Sequence, residues 1–220
     1  VPPAAKWAEP HVTAKGERRA SVAPKAFETL WLNTGTLCNI ACAHCYIESS
    51  PRNDRLAYLE RDEARPFIEE ARELGARLVG FTGGEPFLNP ELLLMAGDAL
   101  ERGLDVLILT NAMTPMLNRR RELLDLRARH GARLALRVSL DHPTAAAHDA
   151  ERGPGAFEKT LEGLRWLLSE GFPVSVAGRS FIEEDEDAAR AGYRRLLGRD
   201  LELTVFPEMD ETAELPEITE

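Results

Sequence analysis

The sequence predicts an α/β protein with six parallel strands, and three observations carry that expectation. Short apolar runs alternate six times with helix-patterned stretches of ten or more residues. Glycines stand just past several of those stretches, at Gly75, Gly103 and Gly131, where helices commonly end. The run Asp105–Leu109 is almost continuously apolar, as a strand covered on both faces should be. Right-handed crossovers let such a sheet curl toward a barrel, but the alternation alone equally fits a flat, doubly wound sheet.

Residues 1–26 come first, with Pro2, Pro3, Pro10 and Pro24 and no sustained period. They read as an N-terminal arm or leader. The first strand is expected over Phe27–Leu32. A polar connection after Ser49-Ser50-Pro51 leads to a helix over about Glu60–Leu74, whose Ile68, Ala71 and Leu74 form the inward stripe. The second strand is Arg77–Phe81. A helix over Pro90–Arg102 uses Pro90 in its first turn. The third strand, Asp105–Leu109, precedes one helix over Thr114–His130. The fourth strand is Arg133–Leu140, followed by a helix over Ala156–Glu170. The fifth strand is Val174–Ala177, and an acidic helix over Asp185–Leu197 precedes the sixth, Leu201–Phe206. The domain of interest is therefore expected over 27–206, with 207–220 as an acidic C-terminal tail.

The net charge of −10 comes from 37 acidic and 27 basic residues. Thirteen of the acidic and four of the basic residues lie at 183–220, so the first 182 residues are nearly balanced at 24 against 23. A solvated acidic end is the expectation, and no basic nucleic-acid surface stands out. No apolar run approaches the roughly eighteen residues of a spanning helix, and no secretory signal is visible. The cytoplasm is the default expectation. The sequence opens on Val1, which suggests a trimmed start.

All three cysteines lie in Cys38-Asn39-Ile40-Ala41-Cys42-Ala43-His44-Cys45-Tyr46, directly after the first strand. Thiolates at CxxxCxxC spacing can converge on a soft metal centre. A zinc knuckle completed by His44, an iron–sulfur site, and plain reduced thiols all remain open on spacing alone. The second strand ends in Thr82-Gly83-Gly84-Glu85-Pro86, Asn111 follows the third strand, and Ser139 and Asp141 close the fourth. In parallel α/β folds reactive groups gather at the carboxyl ends of strands, so all of these are expected on one rim.

The cysteine loop together with Gly83-Gly84-Glu85-Pro86 resembles the radical S-adenosylmethionine (SAM) superfamily, whose members carry CxxxCxΦC after the first barrel strand and a G-G-E motif after the second. Ser139-Leu-Asp141, then His148-Asp149, Arg152-Gly153 and Gly155-Ala-Phe157, is similar to a second run found in its peptide-modifying members. The sequence departs from that run at His142, where glycine is usual, and by one residue between Ser139 and Arg152. The resemblance covers about 27–206 and implies an incomplete (β/α)6 barrel. It implies a [4Fe–4S] cluster on Cys38, Cys42 and Cys45, with one iron left open for SAM. By the same resemblance, Gly83, Gly84, Glu85 and Pro86 shape the methionine end, and Glu85 accepts from the SAM ammonium. His44 takes the Φ position beside the adenine with Tyr46 near it, while Ser139 and Arg152 meet the ribose and carboxylate. Asn111 and Asp141 are further candidate SAM contacts. Arg179, after the fifth strand, either faces the rim or is solvated.

The implied reaction is reductive cleavage of SAM to a 5′-deoxyadenosyl radical that abstracts hydrogen from a peptide or small molecule. A flavodoxin- or ferredoxin-like one-electron donor is the implied partner, with no membrane and no nucleic acid. An electron-transfer protein or a zinc-stabilised binding module is the alternative. The resemblance implies further cysteines beyond the barrel in many peptide-modifying members, and none follows Cys45 here. Either the chain works with one cluster or, as the lack of a helix after the sixth strand suggests, a C-terminal module lies beyond the 220 residues.

Overall fold

A computed structural model describes residues 5–56, 58–180, 185–207 and 214–220. Its described parts form two units, Phe27–Glu208 and, separately, Val1–Ala26 with Met209–Glu220.

In the larger unit six parallel strands lie side by side in chain order: β1 (Thr29–Asn33), β2 (Leu78–Thr82), β3 (Asp105–Thr110), β4 (Leu134–Ser139), β5 (Val174–Ser180) and β6 (Glu202–Pro207). That order settles the choice left open above. A doubly wound sheet reverses its strand order at a switch point, whereas here every crossover moves on to the next strand. Right-handed crossovers that all advance one way put all the helices on one face. The sheet is open, with β1 and β6 as its edges. It is the partial (β/α)6 barrel that the motif resemblance implied.

Strand alternation shows which face the helices cover. Val79, Phe81, Val106, Ile108, Leu134, Leu136 and Val138 are wholly buried at alternate positions. Each such side chain stabilises the fold by about 1.5–3 kcal/mol through burial. On the other face Trp31 lies over Gly80, where a Cβ would run into the indole ring, and is 46% exposed.

Helices α1 (Arg61–Glu73), α2 (Leu92–Glu101), α3 (Thr114–Asn118), α4 (Arg120–His130), α5 (Ala145–Arg152), α6 (Ala156–Ser169) and α7 (Glu186–Leu197) supply the covering layer. Glu60 and Glu63 form a capping box that starts α1. Asp98 of α2 is buried and takes a bidentate pair from Arg61, tying α1 to α2.

Most boundaries fall within two residues of expectation, and four differences are larger or of another kind. The single helix expected over Thr114–His130 breaks at Arg119, which has φ −101° and ψ 16° and aims its guanidinium at the Asn89 and Pro90 carbonyls. Pro86–Leu88 forms a 3-10 turn, so α2 starts two residues after Pro90. Strand β5 runs three residues past Ala177, because β6 pairs with it through Ser180. The eight-residue α5 was not expected, being short and framed by Pro143 and Gly153.

In the smaller unit the arm and the tail pair with each other instead of standing as separate ends. Arg19 bonds Glu217, Lys6 bonds Glu214, and the Ala20 N–H donates to the Ile218 carbonyl. The acidic positions 183, 184, 208, 210 and 211 counted above lie outside the described residues. No described helix is long and apolar enough to cross a membrane.

Candidate active site at the carboxyl rim

The loop after β1 and the turn after β2 are built on each other. The Gly84 N–H donates to the Gly35 carbonyl at 2.9 Å and the Glu85 N–H to the Leu37 carbonyl at 3.0 Å. This approach explains the glycine pair. Gly83 has φ +139°, and a Cβ there would lie 2.6 Å from the Gly35 oxygen; one on Gly84 would overlap the Leu37 carbonyl. The space freed by Gly83 and Gly84 is thus filled by the backbone leading into Cys38. Pro86 is buried and opens the 3-10 turn that follows.

Glu85 is 2% exposed, and both its oxygens are engaged. Thr110 Oγ1 donates to Oε1 at 2.9 Å, the Phe87 N–H to Oε1 at 3.2 Å, and the Asn111 N–H to Oε2 at 2.8 Å. Burial nevertheless pushes the carboxyl up to about 7, with those three donors pulling against it. Asn111 passes the connection on. Its Nδ2 donates to Asn39 Oδ1 at 2.8 Å and lies 4.0 Å from Cys38 Sγ, and its Oδ1 accepts from the Met113 N–H. The ends of β2 and β3 are thereby wired to the first cysteine.

Cys38 is buried, Cys42 and Cys45 are partly exposed, and none is in a disulfide. Burial pushes the Cys38 thiol up to about 12, with Glu85, Cys42 and Cys45 adding like-charge repulsion. Burial raises Cys42 as well, opposed by Arg152 and Arg179. Two thiols that resist ionisation this way, Cys38 and Cys42, are drawn into the thiolate form by a bound cation. The Ser49 N–H donates to Cys45 Sγ at 3.3 Å, as amides do to metal-bound sulfur. The donor set therefore fits an iron–sulfur cluster, whose irons spread its ligands. A one-ion zinc knuckle fits less well. Among the described residues no three His, Cys, Asp or Glu side chains are placed to hold a single ion. His44 Nδ1 lies 2.9 Å from the Glu151 carboxylate, which leaves Nε2 as its outward nitrogen.

On the far side of the rim, Arg152 grips Asp141 with both arms of its fork, at 2.7 and 2.9 Å, and both side chains are largely buried. Arg179 faces this rim and is not simply solvated. Its Nη2 donates to the His44 carbonyl at 3.0 Å, with Asp141 at 3.8 Å and Glu151 at 3.7 Å. Ser139 ends β4, half-buried, opposite Ala177 of β5. His142 Nδ1, at the usual glycine position, accepts from the Thr144 N–H just before α5. Tyr46 is 82% exposed and packs in no core.

His148 and Asp149 act locally. The Asp141 N–H donates to His148 Nδ1 at 3.1 Å, which puts the ring proton on Nε2; burial holds the imidazole down to about 4. Asp149 accepts from the Gly155 and Phe157 N–H groups and so caps α6. Sequence reasoning gave no role to Glu151, Thr110 or Asn39. Only adjacency to the motifs could have flagged them, because each acts through a contact across the fold.

The family model of the Radical SAM superfamily matches residues 32–191. The AdoMet-dependent heme synthase of Methanosarcina barkeri is 36% identical over 142 residues, covering 63% of this chain and 38% of its own length. The antilisterial bacteriocin subtilosin biosynthesis protein AlbA of Bacillus subtilis is 31% identical over 141 residues, 64% of this chain and 30% of its own. Streptococcus suis SuiB bound to S-adenosylmethionine shares the fold, with a TM-score of 0.66 at 15% identity over 85% of this chain and 42% of its own. SuiB has also been solved bound to precursor peptide SuiA. The chain spans less than half the length of each of these relatives. The matched span takes in every rim residue from Cys38 to Arg179, and on that match the chain belongs to the radical SAM superfamily.

Proposed function

We propose that this chain is the catalytic body of a radical SAM enzyme that modifies a peptide. Cys38, Cys42 and Cys45 would hold a [4Fe–4S] cluster and leave its fourth iron to SAM. When bound, the cluster and SAM together supply one-electron reduction of the sulfonium and a 5′-deoxyadenosyl radical able to abstract hydrogen from carbon. The chain's own part is positioning and shielding. The observation that carries the reading is the hydrogen-bonded run from Glu85 through Asn111 and Asn39 to Cys38, which joins the two motif loops at one rim.

Asn111, Ser139 and Asp141 stand at the ends of β3 and β4 as candidate SAM contacts, with Gly83, Gly84, Glu85 and Pro86 on the β2 side and His44 and Tyr46 beside the last cysteine. Arg152 keeps its proposed role toward the SAM carboxylate, though its fork is already tied to Asp141. A peptide substrate is the reading taken from AlbA among the sequence relatives and SuiB among the structures, and the heme synthase keeps a small molecule as the alternative. A small one-electron donor of the flavodoxin or ferredoxin kind, in the cytoplasm, would complete the reaction. The body at 27–206 would carry this chemistry, with the arm at 1–26 and tail at 207–220 outside it.

The test is anaerobic reconstitution with iron and sulfide, then incubation with SAM and a strong reductant. Four irons per chain and formation of 5′-deoxyadenosine are the expected result. A folded chain that binds iron but yields no 5′-deoxyadenosine would leave the electron-transfer reading in its place. One that takes up a single zinc and no cluster would sink both.

A further inference from the structure

Glu151 is oddly placed for a carboxylate. It is the penultimate residue of α5, where the helix dipole disfavours negative charge, and its side chain is only 10% exposed. A carboxylate kept there needs partners, and it finds them in the cysteine loop. The His44 Nδ1–H points at both its oxygens, at 2.9 and 3.2 Å, while its backbone carbonyl accepts from the Ala43 N–H at 2.8 Å. From the other side Arg179 Nη2 donates to the His44 carbonyl at 3.0 Å. Three hydrogen bonds thus close on Ala43 and His44, the two residues between Cys42 and Cys45. The holders are themselves held. The Arg179 N–H bonds the Asp141 carbonyl at 2.9 Å, and Asp141 is locked by Arg152.

We infer that Glu151 and Arg179 are positioning residues for the metal-ligand loop, clasping its Ala43–His44 spacer so that Cys42 and Cys45 are presented to the cluster together. The inference rests on the functional reading above. The two carboxylates and two guanidinium groups offset one another, so the clasp adds order near Cys42 without adding net charge. Partners that orient a ligand from behind are typically worth 10–100-fold in metal affinity.

The experiment compares reconstituted wild type with Glu151→Ala, Glu151→Gln, Arg179→Ala, His44→Ala and the His44→Ala/Glu151→Ala pair, following iron release to a chelator and the EPR spectrum of the reduced cluster. Glu151→Ala and Arg179→Ala are expected to release iron roughly tenfold faster or more and to shift the EPR signal. Glu151→Gln keeps an acceptor for the Nδ1–H and is expected to recover most of the loss. In the His44→Ala background Glu151→Ala is expected to add little, since its partner is gone. Wild-type release rates in both Glu151→Ala and Arg179→Ala would overturn the inference, and so would a full additive effect in the pair. If Glu151→Ala does not fold, Arg179→Ala and Glu151→Gln still decide it. A folded wild type that takes up no cluster would instead remove the functional reading itself, whatever the variants do.

Discussion

At the amino end of the sheet each helix returns to the next strand through three or four residues, at 74–77, 102–104, 131–133, 170–173 and 198–201. Each return uses one glycine at positive φ, and four of those five glycines have nothing within 4 Å of where a Cβ would stand. At the carboxyl end the connections differ in kind. Residues 34–60 and 83–91 are long and press backbone against backbone, and the rim buries Glu85, Asn111, Asp141, His148 and Glu151 with hydrogen-bond partners from other elements. A turn that only reverses the chain needs a permissive residue and open space. A rim that is to hold charged ligands needs polar groups fixed before the ligand arrives, and each must be satisfied from elsewhere in the fold. The same substitution should therefore have different consequences at the two ends.

The largest expected difference follows removal of a ligand. Cys42→Ala should take up no complete cluster under anaerobic reconstitution, measured as iron and sulfide per chain, and full iron retention would break the assignment of the rim. Next comes Arg152→Ala, which leaves Asp141 as a buried carboxylate without its bidentate partner. Breaking a buried pair from one side costs about 3–5 kcal/mol, read here by urea unfolding. Wild-type stability in that variant, with only SAM affinity reduced, would mean that Arg152 serves the ligand and not the rim. Gly84→Ala ranks third. Its Cβ would overlap the Leu37 carbonyl, so the turn and the cysteine loop must part. Overpacking of this sort costs about 1–3 kcal/mol, and iron uptake should fall with it.

How far the sequence could be read divides along the same line. The strands, the amino-end glycines and the motif loops were legible because each is local: apolar runs, helix-ending glycines and fixed spacings within a few residues. The sequential strand order was not, since alternation constrains which elements form and not which are neighbours. At the site, Cys38, Cys42 and Cys45 could be nominated as candidates from spacing and Asp141 from its place after a strand. The bond between Glu151 and His44 spans 107 positions and joins a helix end to a loop, so no local pattern announces it. Helix α5 was hidden for a related reason, because eight residues carry too little periodicity to stand out.

Titration offers a fourth contrast, between two buried groups of the rim. In the folded chain Glu85 holds its proton up to about pH 7 against an ordinary 4.5. The folded state then binds more protons than the unfolded one between those values, and Glu85's contribution to stability falls as pH rises through that window. His148 is held down to about 4 against an ordinary 6.5, so the folded state binds fewer protons there and stability rises as pH rises from about 4 to 6.5. The stability difference between wild type and His148→Gln should grow across pH 4–6.5. The difference from Glu85→Gln should shrink across pH 4.5–7. Each slope is bounded by about 1.4 kcal/mol per pH unit. Slopes of the same sign would contradict the burial of one group or the other.

The smallest expected effect is at the amino end. Gly103 closes the return from α2 to β3 at φ +85° with open space around it, so Gly103→Ala meets no steric wall. What it meets is the left-handed backbone, which costs an L-residue roughly 1–2 kcal/mol. Removing a glycine also restricts the unfolded chain, offsetting about 0.4–1 kcal/mol of that. A net loss on the order of 1 kcal/mol remains, or roughly 2–4 °C in melting temperature for a domain of this size. Iron uptake should match wild type, because no hydrogen bond of the rim depends on this turn. Gly84→Ala and Gly103→Ala make the same chemical change, so comparing their iron content isolates position from residue type. If Gly103→Ala lost iron in proportion to Gly84→Ala, the two ends would be one cooperative structure in which any loosening of the sheet reaches the cysteines.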